Sequence, residues 1–314
     1  MAHEDIIKQL EQRLGRVHAR MRLGIESESG HRVFGGGTNF FHPENWYSTH
    51  SLIRFCLRVS GLYQRGMRNA RNIQVRHNAI HLPQLPKPFE GFTILHLSDL
   101  HADMDRDTTH AIADTIRDLE YDICVLTGDY RASTYGDYET ALEGMQRITL
   151  HLRQPVYGVL GNHDSVRMVP GLEAQGVNML LNESVQLKRG DHHIALAGID
   201  DAHYFRVNNL EKAVQNIPED MISILLTHTP EIYRQAVHAA FDVMLTGHTH
   251  GGQICLPGGI PLTLDAKCPR YMGSGQWRYR NMIGYTSVGA GTSIVNVRFN
   301  CPPEVTLHRL HAGG

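Results

Sequence analysis

Short apolar runs alternate with segments of helical periodicity over most of this chain. The runs predict buried strands at 92–97, 122–127, 155–160, 193–198, 222–227 and 241–246. Helical patterns lie between them, at about 107–119, 139–150, 207–216 and 230–240. A further strand at about 184–188 is predicted to form a hairpin with the strand at 193–198. This alternation is typical of an α/β domain, which we place at residues 89–314.

The first part of the chain has a different pattern and predicts an N-terminal helical extension over residues 1–88. Apolar residues recur at helical spacing from Ile6 to Met21 and predict a helix over about 4–23, followed by a loop over 24–37. A second helix is expected over about 51–71. The proline-rich stretch LPQLPKP (82–88) then marks the junction with the α/β domain.

The second helix carries a basic face. Between residues 45 and 89 the sequence has six Arg, one Lys and no Asp or Glu. Arginines fall on one side of the predicted helix and apolar residues on the other; the arginines are Arg54, Arg58, Arg65 and Arg68. Two interpretations stay open: the helix packs on its own domain with a solvated arginine face, or it lies on an anionic membrane surface.

Composition narrows the function classes. The 314 residues carry a formal net charge of −2, which is not the basic character of a nucleic-acid-binding protein, so no nucleic-acid partner is expected. Five scattered cysteines without a C-x-x-C pair suggest a reduced, cytoplasmic protein. The polar N-terminus predicts no signal peptide, and we expect no membrane-spanning helix.

Five of the predicted strands lead directly into metal-binding residue types. The motifs are SDLH, GD, GNHD, HTP and GHTH, and their candidate ligands are Asp99, His101, Asp129, Asn162, His228, His248 and His250. Taken singly, such residues are more often helix caps, turns or surface residues. Because ligands bind at the carboxyl ends of strands in α/β sheets, the five motifs together predict one site. Carboxylate and imidazole ligands suit Mn²⁺, Fe or Zn²⁺.

In order and spacing, these five motifs resemble the calcineurin-like metallophosphoesterase superfamily. The resemblance implies a four-layer α-β-β-α sandwich of two mixed sheets with two divalent metal ions at the strand ends. It implies that Asp129 bridges the ions. The other ligands would be Asp99, His101 and His250 for the first ion, and Asn162, His228 and His248 for the second.

The same resemblance gives catalytic roles to the GNHD motif. His163 would face the substrate as a general acid or a phosphate-stabilising group, and Asp164 would orient its ring. Arg131 and Arg298 are candidate substrate contacts, although surface ion pairs are the plain alternative. The aromatic segments 39–47 and 270–279 could line a pocket, but packing explains most such residues.

The C-terminal segments resemble a bacterial subgroup, many of whose members are attached to the inner membrane. The subgroup includes phosphodiesterases, and some relatives are UDP-2,3-diacylglucosamine pyrophosphatases of lipid A biosynthesis. The resemblance implies hydrolysis of a phosphodiester or pyrophosphate bond by water that two ions activate, with Mn²⁺ expected first and Fe, Zn or Ni as alternatives. We expect a lipid-linked nucleotide substrate and a cytoplasmic location, peripheral to the inner membrane. A soluble phosphodiesterase or nucleotidase, and a non-catalytic metal-binding scaffold, are the rival hypotheses.

Overall fold

Two six-stranded mixed sheets form the centre of the computed structural model, which describes residues 3–28 and 47–313. The strands are β1 (Gln74–Leu82), β2 (Thr93–Leu97), β3 (Ile123–Leu126), β4 (Val156–Gly158), β5 (Val177–Met179), β6 (Glu183–Arg189), β7 (His192–Gly198), β8 (Ser223–Leu226), β9 (Val243–Thr246), β10 (Cys255–Leu256), β11 (Ile260–Pro261), β12 (Gly275–Tyr279), β13 (Met282–Thr286) and β14 (Glu304–Ala312). The helices are α1 (His3–Leu14), α2 (Arg16–Glu28), α3 (Tyr47–Val59), α4 (Tyr63–Ala70), α5 (Arg106–Ile116), α6 (Glu139–Thr149), α7 (Val169–Ala174), α8 (Leu210–Val214) and α9 (Tyr233–His238).

The first sheet has the order β1-β14-β2-β3-β4-β5, and the second has the order β12-β13-β9-β8-β7-β6. In the first sheet, β2 to β5 run parallel and β14 runs antiparallel to β2. In the second, β7, β8, β9 and β13 run parallel, and β6 and β12 are antiparallel at the edges. The two parallel blocks place five of the predicted strands with their carboxyl ends at one side of the fold.

Alternation along the strands builds the layers. In β2, Ile94 packs between the two sheets, whereas Leu95 and Leu97 pack outward against helices. The outer face of the first sheet is covered by α1, α2 and α5 to α7, and that of the second by α8 and α9. The predicted four-layer sandwich with N-terminal helices is therefore confirmed.

The N-terminal region differs from the prediction at three places. The helix expected over 4–23 is two helices, which meet at Gly15 with a left-handed φ of 87°, and the second extends to Glu28. The helix expected over 51–71 is likewise divided, at Gly61 with a φ of 70°. Glycine adopts such a φ without steric cost, so both chains turn there. Residues 29–37 of the predicted loop, and 39–46 of the aromatic segment, lie outside the described residues.

The expectation that residues 1–88 contain only helix and loop is wrong for residues 74–82. These residues form β1, which pairs with β14 in parallel over nine positions at the edge of the first sheet. The strand is polar in its first half, so it lacks the apolar run that marks the central strands. The division into domains at residue 88 stays a prediction.

The two helices of the basic segment pack differently. In α4, Gly66 and Ala70 are buried, and the Gly66 carbonyl accepts from the Arg298 backbone N–H at 3.0 Å. In α3, by contrast, none of residues 50–59 is buried. The break at Gly61 also ends the continuous arginine face, so only Arg54 and Arg58 lie on α3. Among the described residues, no helix combines the length and the apolar character that crossing a bilayer requires.

Candidate metal centre

The loops after β2, β3 and β4 of the first sheet meet those after β8 and β9 of the second. This convergence brings together all seven predicted ligand residues, and every one of them is buried: Asp99, His101, Asp129, Asn162, His228, His248 and His250. The geometry follows from two blocks of parallel strands whose carboxyl ends face the same edge. Five separate motifs therefore form one cluster.

The first ligand group contains Asp99, His101 and His250, whose potential ligand atoms all lie within 4.8 Å of one another. His101 Nε2 and His250 Nε2 are 3.1 Å apart, and His250 Nε2 lies 3.5 Å from Asp99 Oδ1. Nitrogen–metal bonds of about 2.0–2.1 Å allow donor atoms at such separations to share one ion. This is the group predicted for the first ion.

The second ligand group contains Asp129, His228 and His248. His228 Nε2 lies 3.2 Å from Asp129 Oδ2 and 3.2 Å from His248 Nδ1. Asn162 lies beside this group, and its Oδ1 is buried without a hydrogen-bond partner among the described residues. A buried amide oxygen without a partner is costly, and coordination to a cation would satisfy it.

Asp129 lies between the two groups. Its Oδ2 is 3.2 Å from His228 Nε2 in the second group and 4.0 Å from His101 Nε2 in the first. Its Oδ1 accepts the backbone N–H of His163 at 2.9 Å, which fixes the carboxylate in this orientation. The position fits the bridging role that the resemblance implies.

Backbone carbonyls orient two of the imidazoles. His101 Nδ1 lies 2.8 Å from the Arg131 carbonyl, and His228 Nδ1 lies 2.7 Å from the Thr127 carbonyl. A carbonyl can only accept, so each Nδ1 carries a proton, and Nε2 is the ring atom that faces the ligand group. This arrangement is typical of metal-binding histidines, so the residues present fit a pair of divalent ions.

Burial keeps most of these imidazoles neutral. It lowers the pKa of His101 to about 3 and the pKa values of His248 and His250 well below the ordinary range. His228 differs, because the carboxylate of Asp129 outweighs the effect of burial and raises the His228 pKa to about 10. Burial also raises the pKa of Asp129 to about 7. Four histidines and one asparagine are neutral as metal ligands, so two divalent ions held by them and by two carboxylates would keep positive charge for an anionic substrate.

The backbone is left-handed at five of the ligand residues. The φ angles are 52° at Asp99, 40° at His101, 56° at Asp129, 74° at His248 and 49° at His250. Each such residue other than glycine costs on the order of 1–3 kcal/mol, and such strain clusters at functional sites. The sharp turns aim several side chains from short loops at one point.

Two glycines permit the loops to approach one another. A Cβ placed on Gly161 would lie 2.1 Å from Asp129 Oδ1, and one on Gly247 would lie 1.8 Å from Ser98 Oγ. Both glycines therefore lie where any side chain would clash. They make room for the neighbouring ligand loop.

His163 has a different partner from the one expected. Its Nδ1 lies 3.0 Å from the Thr134 hydroxyl, and its Nε2 lies 3.9 Å from Asp129 Oδ2. The Asp164 carboxylate accepts backbone N–H groups instead, from Asp129, Tyr130 and Gly161 at 2.8 Å each. The two loops turn their amides toward Asp164, so it holds the loops and Thr134 orients the ring. Thr134 lies outside the five motifs, so its contact with His163 could not be predicted from the sequence.

Arg131 and Arg298 are both buried and bound to backbone carbonyls. Arg131 donates to the carbonyls of His163, Thr134 and Gly136. Arg298 donates to Val288 and Gly291 and also to the carbonyl of the ligand residue His250. These contacts favour a positioning role for both guanidinium groups over direct contact with substrate.

A cavity of about 590 Å³ opens over the ligand groups, and its lining includes Asp129, Asn162 and His163. Its walls are apolar over most of their area. One wall is α3, with Leu52, Ile53, Cys56 and Leu57, and the other includes Ile254, Leu262 and Ile294.

His203 is a further histidine that the motifs did not indicate. Its ring centroid lies 4.3 Å from that of His248, and together with Asp265 these two residues form a third group of potential ligands. His203 Nδ1 lies 3.1 Å from Glu231 Oε2. The His203 ring, which is hydrogen-bonded to Glu231, therefore packs against the His248 ring.

Comparison with known proteins shows the family to which this ligand arrangement belongs. The sequence profile of the calcineurin-like phosphoesterase family matches residues 92–252, which carry all the ligand residues. The chain is 32% identical over 259 residues to the uncharacterized metallophosphoesterase YkoQ of Bacillus subtilis, covering 77% of this chain and 92% of that protein. It is 30% identical over 221 residues to protein YpbG of Bacillus subtilis, covering 68% and 79% of the two chains. It is 26% identical over 254 residues to phosphodiesterase YaeI of Escherichia coli, covering 75% and 87%.

The fold and the two ligand groups define a metal-dependent hydrolase of phosphoric esters. The chain belongs to the calcineurin-like phosphoesterase family. Membership implies divalent metal cofactors, and the Asp and His groups supply their ligands.

Proposed function

We propose that the protein hydrolyses a phosphodiester or pyrophosphate bond in a lipid-linked nucleotide such as UDP-2,3-diacylglucosamine, with two Mn²⁺ ions, or Fe, Zn or Ni in their place. The observation that carries the proposal is the contrast within one cavity. Its floor holds four of the metal ligands, whereas α3 on one side and Ile254 and Leu262 on the other supply apolar walls. A phosphate at the floor and acyl chains along the walls match this division.

The ions, when bound, neutralise the phosphate oxygens and lower the pKa of water. The residues of the protein hold the ligand side chains in position. Asp129 is held by the His163 backbone N–H, and the five left-handed ligand residues fix the approach of their side chains. A neutral His163 whose Nδ1 accepts from Thr134 presents its Nε2–H to the cavity, where it can hydrogen-bond to a phosphate oxygen or the leaving oxygen.

The surface around the cavity supports a membrane-bound substrate. At 3.6 residues per turn, Leu52, Phe55 and Val59 of α3 lie within an arc of about 60°. They are 61%, 63% and 72% exposed. Cavity-lining residues flank this arc on one side, and Arg54 and Arg58 flank it on the other. Across the cavity mouth, the β10–β11 hairpin adds exposed Leu256, Ile260 and Leu262. Apolar residues bordered by arginines suit an anionic lipid surface.

A substrate panel tests the reaction. UDP-2,3-diacylglucosamine and bis-p-nitrophenyl phosphate are compared on one preparation whose metal content is measured. We expect kcat/KM to be about tenfold or more higher for the lipid-linked substrate, because burial contributes about 0.8 kcal/mol per CH₂. Equal activity on the soluble diester would favour the soluble phosphodiesterase, and no turnover by the metal-loaded protein would favour the scaffold.

Vesicle binding tests the surface. The double variant Phe55→Ser/Val59→Ser changes exposed residues that do not line the cavity, and Leu150→Ser is the matched control, with Leu150 76% exposed on α6's end. We expect the wild type and the control to sediment with phosphatidylglycerol vesicles and the double variant to stay in solution. Equal sedimentation of all three, or a dimer that the double variant dissociates, would reject membrane docking.

A further inference from the structure

A buried arginine connects the N-terminal extension to the metal centre. Arg22 of α2 is fully buried, and its Nη2 donates to the carbonyl of Asp164 at 2.7 Å. The family profile begins only at residue 92, so α2 lies outside the segment that defines the family. The contact nevertheless reaches Asp164, the last residue of the GNHD motif that follows β4.

Glu26 extends this contact along the same loop. Arg22 Nε donates to Glu26 Oε1 at 3.0 Å, one helical turn away. Glu26 accepts from the Ser165 hydroxyl at 2.7 Å and from the Val166 backbone N–H at 2.8 Å. Two residues of α2 therefore bind three consecutive residues, 164 to 166, directly after the predicted catalytic residue His163.

Displacement of this loop would reach the metal ligands. The Asp164 carboxylate accepts the backbone N–H groups of Asp129 and Gly161. Asp129 is itself a predicted ligand, and Gly161 directly precedes the predicted ligand Asn162. Arg131 also holds the loop, through the His163 carbonyl. Two buried guanidinium groups therefore bind neighbouring carbonyls of the loop.

The contact of Arg22 is both charged and fully buried. Leu10, Leu14 and Leu23 of α1 and α2 dock through apolar packing, and Arg13 docks through ion pairs that are partly exposed. Arg22 instead requires the ring of Phe205 at 3.5 Å and the carboxylate of Asp200 at 3.8 Å to compensate for its burial. A buried ion pair adds little net stability compared with apolar packing, so its defined geometry is the feature to explain.

We propose that Arg22 and Glu26 are positioning residues of the active site, which hold the 161–166 loop in the geometry that the second ion and His163 require. The proposal rests on the hydrolytic activity of the metal centre. It assigns α2 a role in catalysis that is separate from the docking of the N-terminal extension.

Arg13 of α1 provides a matched control. It anchors the same extension through Glu173 and Glu183, and within the described part of the chain it forms no hydrogen bond or ion pair with residues 161–166. The experiment compares wild type, Arg22→Met, Glu26→Ala, Glu26→Gln and Arg13→Met. Three quantities are measured: Mn²⁺ dissociation constants, kcat and KM for bis-p-nitrophenyl phosphate, and thermal stability.

We expect Arg22→Met and Glu26→Ala to lower kcat and to weaken binding of one Mn²⁺ ion by about 10-fold or more, the loss typical when support of a metal ligand is removed. Glu26→Gln, which can still accept from Val166, should recover most of both. Arg13→Met should lose thermal stability while kcat and Mn²⁺ affinity stay at the wild-type values.

Wild-type Mn²⁺ affinity and kcat in folded Glu26→Ala would overturn the proposal, and so would a loss in Arg13→Met equal to that in Arg22→Met. If Arg22→Met does not fold, the two Glu26 variants carry the comparison. An inactive wild type would reject the proposed hydrolase, whereas Mn²⁺ affinity would still test the positioning role.

Discussion

The backbone N–H of His248 lies 3.0 Å from both carboxylate oxygens of Asp99, although the two side chains belong to different ligand groups. Asp99 is therefore both a ligand of the first group and the acceptor that fixes the backbone of a second-group ligand. The left-handed φ of 74° at His248 needs such a restraint. The two ion sites are mechanically coupled through this contact.

This coupling predicts that Asp99→Ala weakens both ion sites. The first group loses a carboxylate, and the second loses the acceptor that holds His248 in its turn. We expect less than one tightly bound ion per chain, as measured by elemental analysis after dialysis and by calorimetric titration. His101→Ala removes a first-group ligand only and should retain the second ion. Equal retention of that ion by both variants would contradict the coupling.

His163→Ala should separate metal binding from turnover. His163 contacts Thr134 and faces Asp129 but belongs to neither ligand group. We expect both ions to stay bound and kcat to fall by about 10²–10⁴-fold, the usual contribution of a positioned proton donor. Asp129→Ala is the contrasting variant and should lose metal. Loss of metal from His163→Ala would instead make His163 a ligand.

Arg298→Met distinguishes a positioning role from contact with substrate. Arg298 donates to the backbone carbonyls of Val288, Gly291 and His250. If it positions His250, first-site metal affinity should fall by about 10–100-fold. If it binds phosphate, both ions should stay bound and KM alone should rise. Metal titration and steady-state kinetics on one preparation decide between these outcomes.

The sequence predicts the ligand residues better than their supports, for a physical reason. Asp129 and His248 follow apolar strands, and each is preceded by a glycine, so motif and strand end coincide. Thr134, by contrast, reaches His163 through a loop whose path depends on Arg131. Arg22 is an ordinary arginine within an amphipathic helix until α2 docks. Contacts of this kind depend on tertiary packing, which local patterns do not encode.

The backbone conformation of the ligand residues could likewise not be predicted from the sequence. A left-handed φ is uncommon even for histidine, which adopts it more often than most residues, so the tertiary structure holds His101 and His250 there. Gly61 was expected within a helix, yet it divides α3 from α4 and leaves α3 exposed beside the cavity. The position of β1 likewise depends on its partner β14, which lies more than 200 residues further along the chain.

Asp200→Asn should reduce stability in a pH-dependent manner. Burial raises the pKa of Asp200, but Arg22 and His18 outweigh it and hold the pKa below its ordinary value. A carboxyl whose pKa is lowered by folding contributes stability above its unfolded pKa of about 3.9 and loses it as the pH falls through the folded value. We expect Asp200→Asn to cost about 3 kcal/mol at pH 7, since it breaks a buried ion pair. The difference from wild type should shrink as the pH falls below about 4, where the unfolded carboxyl takes up a proton, and it should reach its minimum below the folded pKa of Asp200. Denaturant unfolding of both chelator-treated proteins across this pH range measures this difference in stability.

Asp114→Asn, which removes an exposed ion pair with Arg117, should give no pH-dependent difference. A constant difference between Asp200→Asn and wild type at every pH would show that packing, rather than charge, makes Asp200 important.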